Sequence, residues 1–318
     1  MRKELIAFQD PKSPISEIFR TLRTNIQFMN AKGKLKTLLV TSTLPGEGKS
    51  WVSSNLAVTF AQAGKKVILV DADMRKGRQY TILGASPRPG LSNYLSGIGA
   101  NSEEETADVT EYIQETDVEN LYLISAGNVP PNPSELLIAP QMVELLERLK
   151  DLCDIVIIDG TPSQLVADSL ILTRLVDSTL IVTASRETKK EDLKRIINNI
   201  TQVGGKIAGV VVNKITVSSK KYEQAYYYGS TSLAKSKKSG KIPNKAVYNR
   251  AATIVGINNQ KPIVNKVETS NKMEENEKPK ALQNNIEIDN KGEISLEKAN
   301  DILKQINEYL GQEKKNLK

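Results

Sequence analysis

Between residues 35 and 214 short apolar runs alternate with stretches of helical period, and no other feature constrains the fold so tightly. The runs occupy residues 36–43, 66–71, 121–125, 154–159, 178–183 and 206–213. Most are apolar at every position rather than at every second one, the pattern of strands buried on both faces. Residues 50–63, 133–149, 163–175 and 188–203 read as the helices between them. Pro133 followed by Ser134 and Glu135 marks a helix start, and Gly64 marks a helix stop. Such alternation predicts an α/β fold, a mostly parallel sheet with helices on both faces. Residues 80–120 interrupt the pattern with Gly, Ser and acidic residues and predict a small helix and loops. Ahead of the first run, residues 13–29 form an amphipathic pattern, with Ile15, Phe19, Leu22, Ile26 and Met29 on one stripe.

Two absences exclude whole classes of chemistry. The chain has no histidine, so Ser-His-Asp and Cys-His catalysis and His-ligated metals are ruled out. A single cysteine, Cys153, rules out disulfide frameworks, zinc knuckles and Cys-ligated clusters within one chain. Beside an apolar run, Cys153 reads as a small core residue. The first ten residues are polar and charged, unlike a secretory leader. No stretch has the ~20 apolar residues of a spanning helix. The expectation is a cytoplasmic chain that meets a membrane only through a partner or a basic surface.

The formal charge of +7 is local. Residues 214–250 carry nine basic residues and one acidic residue, Glu223, hence 9 − 1 = +8, and the rest of the chain carries 7 − 8 = −1. From Ala251 onward the chain is rich in Lys, Asn and Glu and reads as disordered. One late helix is expected at residues 295–310, with Leu296, Ala299, Ile302, Leu303, Ile306 and Leu310 as its stripe.

Residues 43–50 read T-L-P-G-E-G-K-S, after a predicted strand and before a predicted helix. That is the context of a P-loop, or Walker A motif, whose backbone N–H groups cradle phosphates. Thr43 stands where the general pattern has Gly. Pro45, Gly46, Glu47, Gly48, Lys49, Ser50, Trp51 and Asn213 form the candidate ATP-binding set. Lys49 is placed to reach the outer phosphates and the Ser50 hydroxyl to ligate magnesium. Two other predicted strands end in carboxylates, Asp71 with Asp73 and Asp159, at the sheet end where α/β proteins bind ligands. These three carboxylates and one hydroxyl are expected to converge on a Mg2+ ion and its waters. Residues 212–216, V-N-K-I-T, lack the Asp that a guanine-reading motif needs at position 216, which favours adenine.

Together these residues resemble the bacterial tyrosine kinases that control capsule and exopolysaccharide synthesis, in the cytoplasmic type that works with a separate membrane activator. The family's Walker A loop is similar to residues 43–50, and its Walker B to residues 155–159. Its D-x-D-x-R motif is similar to residues 68–75, and its N-terminal E-x-x-R-x-x-R motif to Glu17, Arg20 and Arg23. The resemblance covers about residues 10–230. It implies ATP and Mg2+ as cofactors and Lys49, Asp71, Asp73 and Asp159 as the catalytic set. Ser50, Asp73 and Asp159 would then face the metal. It also implies ring oligomers through Glu17, Arg20 and Arg23, and a membrane-bound polysaccharide co-polymerase that recruits the kinase to the inner face of the membrane. A cognate tyrosine phosphatase follows from the same likeness. Autophosphorylation is expected on Tyr222, Tyr226, Tyr227, Tyr228 and Tyr248, five of the ten tyrosines within 27 residues. The sequence departs from the family in two places. Gly160 stands where Thr is usual, and 318 − 248 = 70 residues follow a tyrosine cluster that normally ends the chain.

The implied organisation is an oligomerisation helix (1–34), a kinase core (35–215), a basic tyrosine segment (216–250) and a disordered tail (251–318) with a possible terminal helix. The implied reaction moves the ATP γ-phosphate to a tyrosine of a neighbouring subunit, with Asp71 as base. A partition-type P-loop ATPase is the alternative. It usually carries a signature Lys at the position of Leu44, and it leaves the tyrosine cluster without a use. A nucleic-acid-binding role for the basic segment leaves the carboxylates without one, so nucleic acid is not expected as a partner.

Overall fold

The computed structural model describes residues 4–29, 35–97, 108–215 and 251–256. The candidate phosphoacceptors Tyr222, Tyr226, Tyr227, Tyr228 and Tyr248 and the late helix at 295–310 lie outside the described residues.

Six strands are parallel: β1 (Thr37–Ser42), β2 (Val67–Asp71), β4 (Leu121–Ile124), β5 (Ile155–Pro162), β6 (Ser178–Ala184) and β7 (Ile207–Ile215). A two-residue strand β3 (Gln114–Glu115) and a strand β8 (Ala251–Gly256) close the two edges antiparallel. The order is β3-β4-β2-β5-β1-β6-β7-β8. The strand interiors are apolar throughout because both faces are covered. Leu38, Val40, Val67, Leu69, Ile155 and Ile157 point into one core, and Leu39, Ile68, Val70, Val156 and Ile158 into the other.

The first core is roofed by α1 (Ile6–Gln9), α2 (Pro14–Met29) and α3 (Lys49–Ala61). Ser50 through Ala61 of α3 are all buried, since the sheet covers one side and α1 and α2 cover the other. A helix so enclosed needs no polar face. Its polar side chains turn back onto backbone. The Ser54 hydroxyl donates to the Ser50 carbonyl at 2.8 Å, and Thr59 to Leu56 at 2.8 Å. Asn55 clamps the N-terminal segment, receiving the Ala7 N–H at 3.0 Å and donating to the Glu4 carbonyl at 2.9 Å. On α2 the predicted stripe buries Ile15, Phe19, Leu22 and Ile26, but Met29 at its end is 36% exposed.

Helix α4 (Gln79–Leu83) adds Ile82 and Leu83 to the first core, and the second core packs α5 (Leu91–Leu95), α6 (Pro133–Ile138), α7 (Pro140–Leu152) and α8 (Asp168–Leu175) around the opposite face. The amphipathic helix α9 (Lys190–Gln202) buries Leu193, Ile196, Ile197 and Ile200.

Three expectations are corrected. The single helix read over 133–149 is two, because Pro140 has no N–H and holds Ala139 extended at ψ 148°. Helix α8 starts at Asp168 rather than at 163, since β5 runs on to Pro162 and the Ser163 hydroxyl pairs with Thr41 at 2.7 Å. The tail is not wholly unstructured from Ala251. Residues 251–256, A-A-T-I-V-G, pair antiparallel with β7, from Gly209↔Gly256 to Ile215↔Ala251. Without β8 the β7 edge would present unpaired N–H and C=O groups along its length.

Candidate active site

The turn between β1 and α3 puts Gly46 at φ 80° and Gly48 at φ 96°, backbone that L side chains rarely adopt. Gly48 is required twice, since a Cβ there would sit 2.2 Å from Asn213 Nδ2. The first bond of α3 runs from the Val52 N–H to the Gly48 carbonyl at 2.9 Å. Lys49, Ser50 and Trp51 therefore present N–H groups with no helical partner, at the positive end of the helix dipole. That is the chemistry of an anion cradle. Thr43, where a glycine is usual, is fully buried, and its hydroxyl has no hydrogen-bond partner.

The loop is braced from two later elements. Asn213, at the end of β7, donates from Nδ2 to the Glu47 carbonyl at 2.8 Å and accepts the Lys214 N–H at 2.8 Å. With both amide ends engaged, Asn213 reaches the nucleotide site through the loop it holds. The Glu47 carboxylate accepts the Leu44 N–H at 2.8 Å and the Thr188 hydroxyl. Burial raises its pKa, an effect that these two bonds oppose. The Trp51 indole, by contrast, belongs to the first core and meets Phe19 edge to face at 5.1 Å. Only the backbone of Trp51 is left to face the anion cradle.

The parallel register brings the predicted carboxylates together, with Asp71 directly beside Asp159 on neighbouring strands. Lys49 Nζ lies 3.0 Å from Asp73 Oδ2 and 3.7 Å from Asp159 Oδ1, and donates to the Ser50 hydroxyl at 3.2 Å. Burial pulls the Lys49 pKa down, but the Asp159 and Asp73 charges outweigh it and hold the ammonium above its ordinary value. Asp71 is fully buried. Burial, with the Asp159 charge beside it, pushes its carboxyl up to about 7, although the Gln79 N–H and Lys49 pull the other way.

A hard divalent cation fits part of this set. Asp159 Oδ1 is buried with no hydrogen-bond partner, and it faces the same ammonium as Asp73 Oδ2 and the Ser50 hydroxyl. Asp71 is different, because both its oxygens accept from backbone N–H groups. Its Oδ2 takes the Gln79 N–H at 2.9 Å and its Oδ1 the Asp73 N–H at 3.3 Å. Among the described residues no three acidic side chains close on one point as a metal cage. Magnesium needs no such cage, because it keeps waters and takes substrate phosphate oxygens.

Residues 35–211 match a family model described as an AAA domain. Tyrosine-protein kinase YwqD of Bacillus subtilis (strain 168) is 36% identical over 230 residues, 72% of this chain and 93% of that protein. Tyrosine-protein kinase CpsD of Streptococcus pneumoniae serotype 4 is 37% identical over 207 residues, 65% of this chain and 87% of that one. The chain belongs to the bacterial tyrosine-protein kinase family. The solved kinase domain of Escherichia coli tyrosine kinase ETK superposes with a TM-score of 0.63 at 29% identity, covering 74% of this chain and 84% of that one.

The D-x-D-x-R stretch of this tyrosine-kinase fold ends in Arg75, which grips Asp168 with Nε at 2.9 Å and Nη2 at 3.2 Å. Asp168 also accepts the Ser134 hydroxyl at 2.5 Å. Arg75 thereby ties the end of β2 to the starts of α8 and α6, outside the carboxylate cluster. Gly160 is explained by its neighbours. A Cβ there would lie 2.5 Å from Ser169 Oγ and 2.9 Å from Leu39 Cδ1, so Ser169 fills the space that a threonine would take. In the N-terminal motif Glu17 and Arg20 pair at 2.6 Å on the surface. Arg23 is turned inward and donates from Nη1 to the Thr59 carbonyl of α3 at 2.9 Å.

One residue of the site has no sequence signal. Gln79 opens α4 and is fully buried among Asp71, Asp159, Ser50 and Ser53. A D-x-D-x-R motif gives no reason to look four positions past its arginine.

Proposed function

We propose that this chain is an ATP- and Mg2+-dependent tyrosine autokinase that regulates capsular or extracellular polysaccharide synthesis and export. The observation that carries the reading is the convergence of Lys49, Ser50, Asp73 and Asp159 at the open N-terminus of α3. The polysaccharide role rests on the family likeness of the motifs.

In this reading the N–H groups from Gly46 to Trp51 bind the phosphates, and Lys49 leaves its carboxylates to hold the γ-phosphate. Ser50, Asp73 and Asp159 would hold a magnesium ion, which would supply charge neutralisation to the phosphates. Positioning and electrostatics supply most of the catalysis. A tyrosine hydroxyl has a pKa of about 10, so a base helps. Asp71, held near 7, is in the range a general base needs. The accepting tyrosines, Tyr222, Tyr226, Tyr227, Tyr228 and Tyr248, are those of a neighbouring subunit in a ring built through Glu17, Arg20 and Arg23. A membrane-bound activator recruits the ring, and a cognate phosphatase resets it. Among the described residues no helix is long and apolar enough to cross a membrane, which fits recruitment by a partner.

The test is incubation of the purified chain with ATP and Mg2+, with and without the activator's cytoplasmic segment, beside Lys49→Ala. Phosphotyrosine mapped by mass spectrometry to positions 222–248 and lost in Lys49→Ala is the expected result. ATP turnover with no phosphotyrosine in either condition would replace the kinase reading with a partition-type ATPase.

A further inference from the structure

We infer that Gln79 is a positioning residue that fixes which oxygen of Asp159 is presented to the metal, an inference resting on the reading of Asp159 as metal-facing. Its side-chain Nε2 donates to Asp159 Oδ2 at 2.7 Å and lies 3.0 Å from both the Ser50 carbonyl and the Ser53 hydroxyl. Its main-chain N–H donates to Asp71 Oδ2 at 2.9 Å. One residue thus holds the two carboxylates that stand side by side on β2 and β5, and joins them to the first turn of α3.

The orientation of the amide follows from its surroundings. Turned over, its oxygen would face the Asp159 carboxylate and the Ser50 carbonyl, acceptor against acceptor. The nitrogen must face inward, and Gln79 Oε1 is then left buried with no partner. An interior amide oxygen without a partner is destabilising. The fold tolerates it because the nitrogen side answers a buried carboxylate, which needs a donor far more.

The consequence falls on Asp159. With Oδ2 engaged by Gln79, the carboxylate cannot turn freely, and Oδ1 remains toward the Lys49 ammonium, which also donates to the Ser50 hydroxyl. Outer partners of metal-facing carboxylates set their direction in this way. The link to the Ser50 carbonyl also couples that direction to the start of α3, where the phosphates bind. A Glu at this position would set a third carboxylate against the pair. An Asn, one methylene shorter, would not span from α4 to Asp159.

The test uses the full chain and ADP, with affinity measured by calorimetry in EDTA and across a Mg2+ series. Gln79→Met keeps the length and removes the donor. Gln79→Asn keeps the amide and shortens it. Both should bind ADP in EDTA within about twofold of the unmodified chain. The Mg2+ concentration that gives half the gain in ADP affinity should rise about 10- to 100-fold. A residue that only fills the core would lower the melting temperature and leave that midpoint in place, and this result overturns the inference. Loss of ADP binding in EDTA by both variants overturns it too, because it shows a general structural role. If ADP binding to the unmodified chain ignores Mg2+, the metal reading itself fails and takes the inference with it.

Discussion

Asn213 Nδ2 donates to the Glu47 carbonyl at 2.8 Å, so the end of β7 grips the phosphate loop from across the sheet. The same nitrogen occupies the space beside Gly48 where any other residue would carry a Cβ.

Gly48→Ala therefore meets two penalties. Left-handed backbone in a non-glycine residue costs about 1–2 kcal/mol, and the methyl group displaces the Asn213 amide. The expected outcome is a melting temperature lowered by several degrees and ADP affinity reduced at least tenfold. Asn213→Ala should weaken ADP binding with a smaller loss of stability, of about 1–3 kcal/mol, from the Glu47 carbonyl left unpaired. Calorimetry on both variants checks this. Normal ADP affinity in Asn213→Ala would sever the brace from the nucleotide.

The Asp71 carboxyl gives the chain a pH dependence of opposite sign to that of a salt-bridged carboxylate. Folded, it titrates at about 7. Unfolded, it titrates near ~3.9. Between the two values the folded state holds a proton that the unfolded state has released. Stability is thus greatest at low pH in this window, falls as pH rises from about 4 to about 7, and is level above that. In EDTA without nucleotide, the melting temperature should decline more steeply from about pH 4 to about pH 7 in the unmodified chain than in Asp71→Asn. The difference is on the order of a few kcal/mol. Parallel slopes would show that Asp71 titrates normally.

The N-terminal motif divides into two kinds of residue. Glu17 and Arg20 are paired on the surface, so Glu17→Ala should change stability by no more than about 0.5 kcal/mol. Its effect, under the ring proposal, is a loss of high-molecular-weight species in sedimentation. Arg23→Ala removes a donor from the Thr59 carbonyl and should cost about 1–3 kcal/mol whatever the assembly. Sedimentation together with thermal melting separates the two.

Much of this was legible in the sequence because the signals are local. Apolar runs such as V-I-L-V and I-V-I-I fix strands, and G-E-G-K-S after a strand fixes the loop. The break before Pro140 was equally local, and a helical period read across it hid the proline. What escaped depends on pairs far apart in the chain. Gln79 acquires its role only when β2 and β5 lie side by side. Trp51 carries a ring that could stack on a base, but the roof of α2 claims it. The run at 251–256 has enough β-branched residues for a strand, but its polar context conceals them. Only the open edge of β7 gives the run a partner.

The pairing of Ile215 with Ala251 has a consequence for the tyrosines. Ile215 and Ala251, which flank residues 216–250 in the sequence, sit side by side at the same end of the parallel strands as the phosphate loop. Both flanks of that stretch are therefore anchored in the sheet by ladder pairing. Tyr248 is 251 − 248 = 3 residues from its anchor, a reach of about 10 Å, and Tyr222 is 222 − 215 = 7 residues from the other, about 25 Å. Under the proposed transfer to a neighbouring subunit, reach would be rationed by position along the chain, and tyrosines far from both anchored flanks would have more of it than those beside them.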